Sequence, residues 1–153
     1  MTLPALVAAV AVLVGLSPVR VRAVVSAATG AVEHAPAQAA LVERVGGVRA
    51  EALMLAIAVR ESHLRVGVER CRVVGDQGRA VGLWQEHATG KTRDALCALG
   101  ASAQARVALD HLAYCAGRSS SLEGIVACYA GRAEGHPIVA DRAHLARELA
   151  GAP

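Results

Sequence analysis

Aromatic side chains are scarce in this chain: they account for 2% of its 153 residues, and phenylalanine is absent. Hydrophobic residues nevertheless make up 54% of the sequence, which excludes a chain that stays disordered for want of apolar surface. The core must therefore be built from alanine, valine and leucine. Because these side chains are small, and because alanine and leucine are strong helix formers, the composition predicts closely packed helices.

A cluster of basic residues is also missing. The net charge is +3, but Arg20 and Arg22 belong to the apolar N-terminal part, and the remaining chain is nearly neutral. A nucleic-acid-binding surface needs Lys and Arg residues grouped together to neutralise phosphates. The sequence therefore predicts no nucleic-acid partner and favours a ligand that is neutral or of mixed charge.

No hydrophobic run is long enough to be a convincing membrane span, which needs about 20 residues. The apolar stretch from Leu3 to Leu16 instead fits the hydrophobic region of a secretory signal, although no basic residue precedes it. We expect a signal peptide or apolar segment over 1–23, a linker over 24–37 and one domain over 38–150. Membrane contact is expected only through the N-terminal segment. The alternative is a short buried helix, or an apolar tail that docks on another chain.

The four cysteines form no C-x-x-C pair, which argues against a zinc ribbon or a thioredoxin-like site. They are Cys71, Cys97, Cys115 and Cys128. An even number in a chain with an export signal predicts two disulfides, and three pairings are open. A Cys71–Cys97 bond would close a glycine-rich loop, and a Cys115–Cys128 bond would join two neighbouring helices. The alternative is four buried thiols that pack as small hydrophobes.

Hydrophobic periodicity and helix-capping residues predict a mainly α domain. Its strongest helix is apolar on nearly every side, which is typical of a helix in the middle of a domain. A glycine-rich segment over 66–90 predicts a loop or small β region, and long loops of this kind are commonly functional. The predicted helices cover residues 38–44, 48–63, 91–99, 101–116, 122–130 and 138–149.

Three short segments carry residues suited to chemistry on a sugar. Glu61 ends the buried helix, where partial burial would favour the protonated form of its carboxyl and make it a general acid. Trp84 and Gln85 lie in the glycine-rich segment and offer a flat apolar face and an amide. Tyr129 lies near the end of a later helix and could orient Glu61 through its hydroxyl.

The order and spacing of these segments resemble the lytic transglycosylase domain of the lysozyme superfamily. The similarity covers roughly residues 38–135 and is carried by Glu61-Ser62, by Gly78-x-x-x-Gly82-Leu83-Trp84-Gln85 and by Tyr129-Ala130-Gly131. The family usually has Tyr-Asn-Ala-Gly in the third segment, so the chain departs from it by lacking the Asn. The resemblance implies a lysozyme-like helical domain with a glycine-rich loop or small β region.

The resemblance also implies a substrate and a set of roles. The substrate is the glycan strand of peptidoglycan, cleaved between N-acetylmuramic acid and N-acetylglucosamine to leave a 1,6-anhydro end. Glu61 is the catalytic acid and base. The substrate-binding residues are Ser62, Gly82, Leu83, Trp84, Gln85 and Tyr129. No cofactor is implied, and we expect a monomer. We expect the protein to act in the periplasm or outside the cell, where it arrives by secretion or is delivered by a phage or a secretion apparatus.

Two alternatives stay open, and the second belongs to another class of function. Asp76, in the same glycine-rich segment, is a candidate second carboxylate, which would allow hydrolysis as in goose-type lysozyme. Its simpler interpretation is a turn residue that bonds its own backbone. The second alternative is a glycan-binding or structural module that kept the cleft without turnover. His63 and His87 lie close to the motifs, but their spacing matches no zinc-protease pattern, so we predict no metal.

Overall fold

Nine α-helices and one short β-hairpin make up the part of the chain that the structure describes. The computed structural model covers residues 2–87 and 90–151, apart from the side chains of Leu3 and Asp76. The prediction of a mainly α domain with a small β region is confirmed. The elements are α1 (Leu3–Val14), α2 (Pro18–His34), α3 (Pro36–Gly46), α4 (Ala50–Ser62), α5 (Val66–Glu69), β1 (Ala80–Val81), β2 (Glu86–His87), α6 (Gly90–Leu99), α7 (Ala101–Ala116), α8 (Leu122–Ala130) and α9 (Pro137–Ala150).

Helix α4 lies at the centre of the molecule. Every residue from Ala52 to Ala58 is without exposed surface, because α9, α2, α3 and α7 all pack around it. A carboxylate oxygen of Glu43 accepts a hydrogen bond from the Ala50 N–H (3.1 Å) at its first turn. The helix ends where His63 adopts a left-handed conformation (φ 49°). The predicted buried helix is thus confirmed. Its last turn borders the cleft that is described below.

The N-terminal residues are helical and packed onto the rest of the protein. Residues 24–34 lie in α2, so the expectation of an irregular linker over 24–37 is wrong. Val21, Val24, Val25 and Ala28 are at most 1% exposed, and their spacing is that of one apolar helix face. Helix α2 packs on α7 and α4 and carries α1 on its side. None of the helices in the described ranges is long and apolar enough to cross a membrane.

The glycine-rich segment folds as a short helix, a turn and a hairpin. Helix α5 and a 3₁₀ turn over Asp76–Gly78 precede β1. The two strands are antiparallel, with Val81 opposite Glu86, and the turn between them is the Gly82–Gln85 motif. This segment lies beside α6 and α7, and it forms one wall of the cleft described below.

Two disulfides brace this segment and the helices next to it. Cys71 bonds to Cys97, and Cys115 bonds to Cys128, each with a Cα–Cα distance of 5.6 Å. The first bond closes the glycine-rich segment against α6, and the second joins α7 to α8. The predicted disulfides are confirmed, and the structure selects one of the three open pairings.

We predict that replacing Cys71 and Cys97 together by Ser lowers the free energy of unfolding by about 3 kcal/mol, because the bond closes a loop in the unfolded chain. The sequence separation of the two cysteines is 26 residues. Urea unfolding at equal pH measures the difference. A matched Ser pair at Cys115 and Cys128, which closes a shorter loop of 13 residues, should cost a similar or slightly smaller amount. A loss below about 1 kcal/mol for the first pair would contradict the entropic argument.

Candidate active site

One cleft of about 780 Å³ opens at the end of α4. Its volume is typical of a ligand-binding cleft, roughly 300–1,000 Å³. Five elements supply its walls: the last turn of α4, the hairpin, α7, the end of α8 and α9. The lining residues are Glu61, Ala80, Gln85, Glu86, His87, His111, Cys128, Tyr129, Ala130, Gly131, Arg132, Ile138 and Arg142.

Glu61 lies at the edge between the core and this cleft. It occupies the last turn of α4, and 20% of its side chain is exposed. Its Oε1 atom is 2.6 Å from Nη2 of Arg142 on α9. The Arg142 side chain is itself only 11% exposed. A carboxylate and a guanidinium therefore face each other at the bottom of the cleft, largely out of water.

The surroundings of Glu61 act on its pKa in opposite directions. Burial raises the pKa of the Glu61 carboxyl, and this is the largest effect. Arg142 lowers the pKa through its positive charge, Glu86 raises it, and His87 lowers it. The net result is a pKa above the ordinary value. Desolvation of the charged form therefore outweighs the ion pair, which is the condition a carboxyl needs to serve as a general acid near neutral pH.

The hairpin turn presents Gln85 to the cleft and turns its other motif residues inward. Trp84 is fully buried, and its indole N–H donates to the carbonyl oxygen of Met54 in α4 (2.8 Å). Leu83 is also fully buried, and its N–H donates to Oε1 of Gln104 (2.9 Å). The predicted sugar contacts of Gly82, Leu83 and Trp84 are therefore wrong: these residues anchor the hairpin to the core. Among the motif residues of this turn, Gln85 alone lines the cleft.

Ser62 also faces the protein interior. Its hydroxyl donates to the carbonyl oxygen of Ala58 (2.8 Å) and accepts from the N–H of Leu64 (3.1 Å). With 3% of its surface exposed, it does not reach the cleft. The predicted contact of Ser62 with Glu61 or with a sugar is wrong, because the hydroxyl is used to end α4 and to direct the chain that follows.

Tyr129 lines the cleft as predicted, but its hydroxyl engages a different carboxylate. It lies 3.0 Å from the carbonyl oxygen of Trp84 and in close contact with Oε1 of Glu86. The expectation that it bonds Glu61 is therefore wrong. Burial, followed by the charge and the hydrogen bond of Glu86, raises the pKa of the Tyr129 phenol well above its usual range. The phenol thus keeps its proton and acts as a neutral donor.

Glu86 and His111 complete this wall of the cleft. Oε2 of Glu86 is 3.1 Å from Nδ1 of His111 on α7, and the His111 ring packs on the Tyr129 ring at 4.5 Å between centroids. The Glu86 side chain is 10% exposed. Its two oxygens are thus held by side chains from α8 and α7, so one carboxylate joins the hairpin to both helices.

Three residues of this site were not identified as site residues from the sequence: Glu86, His111 and Arg142. His111 and Arg142 each left a weak signal, because they interrupt the apolar stripes of α7 and α9. Arg142 follows Val139 by three positions and precedes Ala146 by four, and both neighbours are fully buried. A charged residue in such a stripe needs a partner. The sequence alone did not say that the partner was Glu61.

The side chain of Asp76 lies outside the described part of the structure, so its role as a second carboxylate stays a prediction. Its backbone belongs to the 3₁₀ turn before β1. Within residues 2–87 and 90–151, no group of three or more His, Cys, Asp or Glu residues is placed to hold a metal ion.

Comparison of the chain with protein-family models, with curated proteins and with solved structures finds no match.

We predict that Gly82→Ala destabilises the protein by about 3 kcal/mol, combining left-handed backbone strain with overpacking. Gly82 has φ +76°, and a Cβ there would lie 2.6 Å from the buried side chain of Gln104. Gly47→Ala is the matched control, because Gly47 has φ +67° but open space around it. We expect it to cost only about 1 kcal/mol. Denaturant unfolding of both variants tests this, and equal losses would mean that Gln104 does not restrict the turn.

Proposed function

We propose that this chain cleaves peptidoglycan glycan strands as a lytic transglycosylase, with Glu61 as its catalytic acid and base. The observation that carries the proposal is a carboxyl of raised pKa at the end of a buried helix, opening into a cleft shared with Gln85 and Tyr129. These are residues of the three segments that resemble the lytic transglycosylase domain.

In the proposed reaction, protonated Glu61 gives its proton to the glycosidic oxygen between N-acetylmuramic acid and N-acetylglucosamine. The bond from that oxygen to the anomeric carbon then breaks, and an oxocarbenium-like centre develops. The Glu61 carboxylate next takes the proton of the muramoyl 6-hydroxyl as its oxygen bonds to the anomeric carbon. The products are a free N-acetylglucosamine hydroxyl and a 1,6-anhydro ring. Water is not consumed, and Glu61 regains its proton.

The remaining cleft residues suit a polar sugar chain. The Gln85 side chain lines the cleft, its orientation is fixed by the hydrogen bond from Nε2 to the carbonyl oxygen of Gly82 (2.9 Å), and we assign it a contact with an acetamido or hydroxyl group. Ile138 adds apolar surface and Arg132 adds a cation to the cleft wall. Arg142, bonded to Glu61, stabilises the carboxylate that forms after the first proton transfer.

Hydrolysis is the second candidate, and Glu86 is the observation that favours it. A second carboxylate lines the same cleft as Glu61, and paired carboxylates support water attack in many glycosidases. In that case the product carries a reducing end. We favour the lyase outcome because both oxygens of Glu86 are already held by Tyr129 and His111.

The proposed compartment is the periplasm or the cell exterior. All four cysteines take part in disulfides. Such bonds persist in oxidising compartments. The substrate proposed here is found in the same places.

We predict that Glu61→Gln lowers the rate of glycan cleavage by about 10²–10⁴-fold, which is the usual contribution of a general acid. Gln has nearly the shape of Glu but carries no transferable proton. Turbidity loss of purified peptidoglycan measures the rate, and circular dichroism checks that the fold is retained.

Glu33→Gln is the matched control, because Glu33 is exposed on α2 away from the cleft and loses the same charge. It should cleave at the parent rate. Mass spectrometry of the soluble products separates the two candidate reactions, since anhydro ends are one water lighter than reducing ends. A Glu61→Gln variant that keeps more than a tenth of the parent rate would assign the acid role to another residue.

A further inference from the structure

Among the residues that the structure describes, two carboxyl groups line the cleft, and an arginine is paired with only one of them. Arg142 is bonded to Glu61 at 2.6 Å. Glu86 is held instead by the Tyr129 hydroxyl and by the His111 ring. Tyr129 is a neutral donor, and His111 is neutral unless it is protonated. A buried negative charge without a permanent cation beside it is costly and therefore uncommon, so its presence in the same cleft as the proposed acid indicates a function.

Glu86 is fixed in place more firmly than a surface carboxylate. Its backbone pairs with Val81 in the hairpin, and its side chain is 10% exposed. Oε1 contacts Tyr129 and Oε2 lies 3.1 Å from His111. The rings of these two partners pack on each other. The charge of Glu86 is thus held at one point of the cleft wall, facing the space that Glu61 also lines.

We propose that Glu86 is a positioning residue of the glycan-cleaving site, whose fixed negative charge counteracts that of Arg142 within the cleft and lets Glu61 keep the proton it donates. This inference rests on the proposed function for its role in cleavage. The balance of charges that it describes concerns the protein alone and can be measured without substrate.

Arg142 and Glu86 act on the pKa of Glu61 in opposite directions. A guanidinium bonded to a carboxylate favours the ionised form of that carboxylate, so Arg142 alone would make Glu61 a poor proton donor. Glu86 acts in the opposite sense, since a nearby negative charge disfavours ionisation of Glu61. The directions for Glu61 agree with this: Arg142 lowers its pKa and Glu86 raises it. Arg142 can then stabilise the carboxylate formed during the reaction without removing the proton beforehand.

Other titratable groups share this space, and they limit the conditions of the test. His87 on the same strand lowers the pKa of Glu61, and Arg132 lines the cleft at the end of α8. Protonation of His111 would put a positive charge beside Glu86 and weaken its effect. The effect of Glu86 is therefore measured by comparing variants that all keep His87, His111 and Arg132.

The direct test is a titration of the Glu61 side chain by carbon-13 NMR, with the resonance assigned from Glu61→Gln. We predict that Glu86→Gln moves the Glu61 titration to lower pH, because it removes the opposing charge and keeps the shape. Arg142→Gln is the matched variant of opposite sign and should move the same titration to higher pH. Glu33→Gln should leave it in place.

Activity supplies the second readout. Cleavage needs protonated Glu61, so the rate is lost as the pH rises through the Glu61 pKa. The alkaline limb of kcat/KM should therefore move to lower pH in Glu86→Gln and to higher pH in Arg142→Gln. A residue that only supports the fold would lower the rate at every pH and leave the limb where it is.

Each outcome of these experiments either supports or overturns the proposed role of Glu86. An unchanged Glu61 titration in a folded Glu86→Gln variant overturns the proposal, and a shift to higher pH does so as well. If Glu86→Gln does not fold, Arg142→Gln carries the test, and a titration that fails to rise there overturns the charge balance. If the parent protein cleaves no peptidoglycan, the proposed function fails, while the NMR titrations still decide the role of Glu86.

Discussion

The complete burial of α4 is the constraint on which the site depends. Helices pack on all sides of residues 52–58, so the carboxyl of Glu61 emerges only where this packing stops. At that point the side chain is still largely shielded from water. Desolvation is accordingly the main cause of its raised pKa. The same packing that stabilises the core thus prepares an acid at its edge, because a partly buried carboxyl prefers its neutral form.

The wall of the cleft that the hairpin forms is rigid because most residues of its turn are anchored in the core. Trp84 binds the carbonyl oxygen of Met54 in α4. Oε1 of Gln104 accepts a hydrogen bond from the Leu83 N–H, and Nε2 of Gln104 donates to the carbonyl oxygens of Glu69 and Leu96 (2.8 and 3.0 Å). Buried amides with every polar atom bonded hold a turn in one conformation. The hairpin can therefore present Gln85 and Glu86 at fixed positions, which a flexible loop would not.

Charged side chains lie on both walls of the cleft, the one formed by α4 and α9 and the one formed by the hairpin, α7 and α8. Arg142 on α9 pairs with Glu61, while Glu86 on β2 is fastened to α7 and α8 by His111 and Tyr129. The disulfide between Cys115 and Cys128 joins the same two helices, so covalent and polar links act together behind this wall. Arg142 and the two carboxyl groups therefore share one partly buried cleft, where electrostatic effects are stronger than in water.

The sequence by itself determined helices α3, α4 and α6 to α9, the buried character of α4 and the place of Glu61 at its end, because these follow from local periodicity and composition. It also limited the cysteines to a few pairings. It did not reveal that residues 24–34 continue in a packed helix, since their small side chains resemble those of a linker. The partners of Glu61 and Tyr129 were decided only by tertiary structure. Arg142 is distant from Glu61 in the chain, and the direction in which Trp84 and Ser62 point depends on which helices surround them.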